Sequence, residues 1–165
     1  MVPGVPRVAV RIRRASRAVV LDPDGRILLV RFVFPAGDVW ATPGGGIDEG
    51  ETAEEAIRRE LSEEVGLENV ELGSWIWVRE HVFPFLDGRW DGQAEQYFLV
   101  RTKHFEPAPR FTPEQLAAEY VGGLRWWTPA ELAASAELFA PRRLPELLAA
   151  LLRDGPPEEP LDVGV

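Results

Sequence analysis

A chain of 165 residues that is 45% hydrophobic and 10% aromatic is long enough to bury one core, and it predicts a single domain. Its formal charge of −9 argues against a nucleic-acid binder, which needs a basic surface to neutralise phosphates. The absence of cysteine excludes disulfides, thiolate metal sites and thiol chemistry.

The first segment, residues 1–15, carries Arg7, Arg11, Arg13 and Arg14, with Arg17 just beyond, and reads as a basic arm or edge strand. It lacks the continuous apolar core of a signal peptide, and no run of about 18 apolar residues follows that could span a bilayer. The expectation is a cytoplasmic chain with no membrane partner. Next, Ala18 to Leu21 and Ile27 to Phe34 are β-branched or apolar runs around Asp22-Pro23-Asp24-Gly25, whose composition suits a tight turn, so a hairpin is predicted. Trp40 to Gly46 then interrupts regular structure with Pro43 and three glycines and should form a shaped loop.

Thr52 followed by Glu55 has capping-box spacing, and Gly66 can end a helix in the left-handed conformation, which predicts a helix from Ala53 to Val65. Val70 to Phe85 and Gln93 to Phe105 are rich in β-formers, with Asp87-Gly88 and Asp91-Gly92 marking a reversal between them. Leu124 to Trp127 predicts a further short strand. Thr128-Pro129-Ala130-Glu131 starts a short helix, and a last helix is expected near Leu144 to Arg153. The domain is thus expected over 16–154, with a disordered tail over 155–165.

On the first helix Glu60, Glu63 and Glu64 share an arc of about 100°. Ile57, Leu61 and Val65 form the neighbouring stripe that must face the core, so Glu60 and Glu64 flank buried surface. Like charges at these spacings oppose the helix by roughly 0.2–0.5 kcal/mol per pair. Glu63 and Glu64 also stand in the last turn, where the helix dipole disfavours anions. A bound divalent cation would reverse each of these terms. Arg59, four residues after Glu55 and four before Glu63, can orient the cluster or serve as an ordinary surface ion pair.

Gly45, Glu51 and the run Arg59-Glu60-Leu61-Ser62-Glu63-Glu64-Val65-Gly66-Leu67 resemble the Nudix box at every defining position. Seven such identities coincide by chance with a probability on the order of 10⁻⁸ per start position. The Trp126 to Leu132 segment resembles the family's closing strand and helix. What the resemblance implies is an α/β (α+β) fold, an α/β/α sandwich with a mixed β-sheet and a loop–helix–loop catalytic motif. It also implies Mg²⁺ or Mn²⁺ on the glutamates, in keeping with hard oxygen donors. Carried over by position, Glu60 and Glu64 are metal ligands, Glu63 is a ligand or water-activating base, and the Gly45 carbonyl is an additional ligand. Glu51 and Arg59 organise the loop.

The activity implied is metal-dependent hydrolysis of a diphosphate linkage in a nucleoside diphosphate joined to another group. The alternative is a non-catalytic nucleotide-sensing or RNA-contacting domain on the same fold. A small nucleotide-diphosphate substrate is the expected partner rather than nucleic acid, and a homodimer stays open. Around the box, Trp40 is the candidate for stacking on a base, and Arg31 and Arg79 are candidates for gripping phosphate. His81 and His104 read as structural. Of three carboxylates outside the box, Glu95, Glu114 and Glu119, the last is the choice for a catalytic base, because it precedes Gly122-Gly123 in a stretch that could close over the site.

Overall fold

The computed structural model describes Gly4 and residues 9–165; Arg7 lies outside the described residues. The elements in chain order are β1 (Ile12–Leu21), β2 (Ile27–Phe34), β3 (Gly37–Ala41), β4 (Gly44–Gly46), α1 (Ala53–Val65), β5 (Trp75–Val82), β6 (Gly92–Arg101), α2 (Pro113–Ala118), β7 (Val121–Trp127), α3 (Pro129–Ala134), β8 (Phe139–Ala140), α4 (Leu144–Asp154) and β9 (Leu161–Asp162). They form a mixed sheet in the order β8-β3-β2-β1-β6-β5-β9, with β4 on β1 and β7 on β2. Helices cover both faces, as expected for an α+β sandwich.

β1 is the spine of the sheet. It pairs in parallel with β6 from Ile12↔Gly92 to Leu21↔Arg101, and antiparallel with β4 over Ala15 to Arg17. The basic segment therefore enters the centre of the sheet from Ile12 onward, because alternate residues of Ala15 to Leu21 are needed on both faces. The predicted hairpin is also altered. The turn forms, with the Asp22 carboxylate accepting from the Asp24 and Arg26 amides at 2.9 Å each, but β1 and β2 pair only at Leu21↔Ile27. Beyond that point they diverge, and β2 pairs instead with β3 and β7. The opening between them is where the site lies.

Alternation along β1 builds two cores. Val19 and Leu21 join Trp77, Tyr97, Leu99 and Trp127 under α3 and α4, whereas Ala18 and Val20 pack with Ile57, Leu61 and Val65 of α1. The α1 limits match the predicted ones, with the full Thr52–Glu55 capping box and Gly66 at φ 75°. Trp127 is buried and Trp126 half-buried, as neighbours on a strand must differ. Trp75 and Trp77 are separated by a register shift, which leaves Trp75 exposed and Trp77 in the core.

Two short elements add to or differ from what was expected. The stretch before β7 contains α2, opened by a Thr112–Gln115 capping box with Pro113 at its first turn, the same pattern as at Thr128. The tail is ordered: Leu161 and Asp162 pair with Trp77 and Val78, and Val163 is 1% exposed. Val163 also donates its amide to the Val78 carbonyl at 3.0 Å, and Val165 accepts from the Arg142 amide at 3.2 Å. Among the described residues no helix is long and apolar enough to cross a membrane.

Candidate active site

The Gly44–Gly46 strand and α1 meet along the β1 spine. Gly44 adopts φ 144°, and an added Cβ would press into the backbone of Ser16 and Arg17, so only glycine lets β4 lie this close to β1. At Gly45 a Cβ would stand 2.5 Å from Glu60 Oε1, so the Glu60 carboxylate rests directly on the loop backbone. Glu64 is 3% exposed and accepts one hydrogen bond, from the Gly44 amide at 3.2 Å. Burial and then the Glu60 charge push its carboxyl up to about 8. Burial raises Glu60 as well, against the pull of Arg59.

Arg59 ties the loop to the helix. Its Nε and Nη2 donate to Glu51 at 2.9 Å each, its Nη2 donates to the Gly46 carbonyl at 3.0 Å, and its Nη1 donates to Glu60 at 3.0 Å and Glu63 at 3.4 Å. The bond to Glu51 leads in raising the Arg59 pKa and in lowering that of Glu51. The structure thus joins Gly45, Glu51, Arg59, Glu60, Glu63 and Glu64 in one cluster. Glu119 is exposed at the C-terminal end of α2, near enough to add to the upward push on Glu64.

The other candidates are placed differently. Trp40 is 8% exposed and meets Trp127 edge-on with ring centroids 5.2 Å apart, so it is a core residue and not a stacking surface. Arg79 is buried and spends its charge on Glu95 at 2.5 Å; it is not free to grip phosphate. Arg31 donates to the Gly122 carbonyl at 2.9 Å and fastens β2 to β7. Glu95 is held by Arg17 at 2.6 Å as well as by Arg79, which removes it from the choice of base. His104 contacts Asp22 at 2.9 Å.

Sequence reading missed Arg17. The sequence groups it with a basic arm, but its place two residues before Val19 on the same face of β1 puts it in the interior, where it also donates to the Gly44 carbonyl at 3.1 Å. The donor set of the cluster is all oxygen, with a buried carboxyl that resists ionisation alone, and this fits a hard divalent cation. Among the described residues no three acidic or histidine side chains already converge as a closed cage, because Glu60 and Glu63 are turned toward Arg59.

The NUDIX domain family matches residues 11–150. The chain belongs to the Nudix family. Among its relatives, RNA pyrophosphohydrolase from Sulfurovum sp. is 47% identical over 76 residues, which cover 40% of this chain and 45% of that protein. The protein of the same name from Helicobacter pylori is 36% identical over 118 residues, 63% of this chain and 74% of its own length. The crystal structure of the MutT NUDIX hydrolase from Burkholderia pseudomallei superposes with a TM-score of 0.58 at 25% identity, covering 82% of this chain and 95% of that one. These relatives overturn the expectation that nucleic acid is not a partner. Net charge averages over the whole surface, whereas hydrolysis at one phosphate group requires only local neutralisation in the site.

Proposed function

We propose that this Nudix-family enzyme is a metal-dependent pyrophosphohydrolase whose substrate is the phosphoanhydride at an RNA end. Internal RNA linkages are phosphodiesters, so an anhydride can stand only at a terminus, and the relatives are named for RNA. The observation that carries the reading is Glu64, a buried carboxyl pushed up to about 8 beside the half-buried Glu60 and the Gly44–Gly46 backbone. Without a cation this arrangement opposes folding at neutral pH, because Arg17 and the Gly44 amide offset only part of the cost, and a bound cation would make up the rest. A sensing domain without turnover has no use for that arrangement.

Glu60, Glu64 and the Gly45 carbonyl would hold Mg²⁺ or Mn²⁺, with Glu63 as a further ligand. The cation supplies neutralisation of the diphosphate and acidification of water. The chain's own residues do the rest. Arg59 and Glu51 fix the loop that presents Gly45. Glu119 takes a proton from the attacking water as its oxygen bonds to phosphorus; the anhydride P–O bond breaks, and the leaving phosphate keeps the electron pair.

The test is incubation with a 5′-triphosphorylated oligoribonucleotide and, separately, with the matching nucleoside triphosphate, with and without Mg²⁺, followed by product identification. The expected result is Mg²⁺-dependent release of phosphate or pyrophosphate from the RNA. Release from the free nucleotide alone would overturn the RNA substrate, and release from neither would overturn the hydrolase reading.

A further inference from the structure

A run of contacts leaves the acidic cluster and ends at Tyr120. Gly44 donates to Glu64 through its amide at 3.2 Å and accepts from Arg17 through its carbonyl at 3.1 Å. The Arg17 guanidinium lies 6.0 Å from the centre of the Phe32 ring. Phe32 stacks on Phe34 at 6.1 Å with an interplanar angle of 10°, and Phe34 meets Tyr120 at 5.3 Å. Glu119 is the preceding residue in the chain, at the C-terminal end of α2. The Gly44 backbone thus stands between the Glu64 carboxylate and an Arg17 guanidinium that reaches a run of three aromatic rings.

Those rings are not core. Phe34 is 37% exposed and Tyr120 41%, whereas Trp40, Trp77 and Trp127, the indoles beneath the sheet, are below 9%. Single exposed apolar residues are ordinary; adjoining aromatic rings held rigidly beside a charged site mark a binding surface. Two backbone features hold them. Tyr120 has φ 61°, in the left-handed region that a bulky residue seldom adopts, and its carbonyl is fixed by the Val33 amide at 2.8 Å. Opposite it the β2–β7 register shifts, with Arg31↔Gly123 followed by Phe32↔Val121. Gly122 is thus the extra residue of a β-bulge, a device that re-aims side chains and recurs next to active sites.

We propose that Phe34 and Tyr120 are the platform on which the base of the anhydride-bearing nucleotide stacks. The inference rests on the pyrophosphohydrolase reading for what the phosphates do, and it names a binding role that the sequence assigned to Trp40. Phe34 carries no hydrogen-bonding edge and Tyr120 only a hydroxyl, so the platform reads the flat face of a base and tolerates all four bases, with purines favoured by area. Phe32, inside the run, carries the stack toward Arg17 and the phosphates.

Two experiments test it. Irradiation of the full chain with 5-iodouridine 5′-triphosphate and Mg²⁺ should place the crosslink on Phe34 or Tyr120 by peptide mass spectrometry. Phe34→Ala and Tyr120→Ala should each raise KM for a nucleotide substrate by roughly 5- to 150-fold, the size of one lost base–aromatic stack. kcat and inhibition by inorganic tripolyphosphate should stay unchanged, and Tyr120→Phe should keep wild-type KM. Tyr120→Asn, which tolerates the left-handed backbone, should behave like the alanine variant and separates loss of the ring from strain. A crosslink confined to other aromatic residues such as Phe83 or Phe85, no crosslink, or unchanged KM in the alanine variants overturns the platform. A crosslink at the predicted rings in a chain that hydrolyses nothing would sustain the platform and remove the reaction.

Discussion

Glu64 and Glu95 are glutamates of almost equal burial, 3% and 4% exposed, and they titrate in opposite directions. Glu95 is opposed by burial, but Arg17 and Arg79 outweigh that and lower its pKa. Glu64 has burial and the Glu60 charge against it, with one backbone amide and a more distant Arg17 in its favour, and it rises to about 8. Glu95 has its counter-charges within the chain. Glu64 lacks counter-charges of that strength, a deficit that a cation in the proposed site would make good.

The largest effect separating the two should be on turnover. Glu64→Gln should lower kcat by about 10²-fold or more with the helix retained, since Gln is nearly as good a helix former. Steady-state kinetics with circular dichroism checks this, and near-normal kcat would remove Glu64 from the ligand set. Glu119→Gln should lose about 10²–10⁴-fold in kcat and flatten the acidic limb of the pH–rate profile, with little change in metal affinity.

Stability should respond at the other glutamate. Glu95→Gln leaves two buried guanidinium groups without their partner and should destabilise by about 3–5 kcal/mol in denaturant unfolding, unrelieved by metal. A loss below about 1 kcal/mol would show that Arg17 and Arg79 find other partners. Smaller again, Arg59→Ala should weaken Mg²⁺ binding by roughly 10- to 100-fold, as expected for a group that orients ligands; calorimetric titration decides it.

How much of this was legible in the sequence follows from range. The Thr52–Glu55 cap, Gly66 and the Glu60–Glu64 spacing are local, and α1 formed where they placed it. Thr112-Pro113-Glu114-Gln115 held the same local signal as Thr128-Pro129-Ala130-Glu131 and could have revealed α2. What stayed hidden depends on pairing between distant strands. Nothing in Arg17 or Glu95 alone shows that the parallel register of β1 and β6 sets them on one face. The meeting of Phe34 with Tyr120 depends on the β2–β7 pairing and its bulge at Gly122, and the burial of Trp40 involves a contact with Trp127, 87 positions later in the chain. The charge of −9 misled on nucleic acid for the converse reason, since a sum over the chain carries no position.

The central claim, that Glu64 is poised for a cation, is tested most directly by thermal melting at pH 6 and pH 8.5 with and without Mg²⁺, for the wild type and Glu64→Gln. The folded state holds the Glu64 proton more tightly than the unfolded chain. The metal-free protein should therefore lose stability from this group as pH rises from the ordinary carboxylate range through about 8. Glu95, lowered in the folded state, loses its contribution only as pH falls into the acid range, outside this window. Millimolar Mg²⁺ should raise the melting temperature more at pH 8.5 than at pH 6, where binding must displace a proton, and Glu64→Gln should be the more stable protein at pH 8.5 without metal and gain little from it. A melting temperature insensitive to Mg²⁺ at both pH values, or an equal rise in Glu64→Gln, would contradict the account.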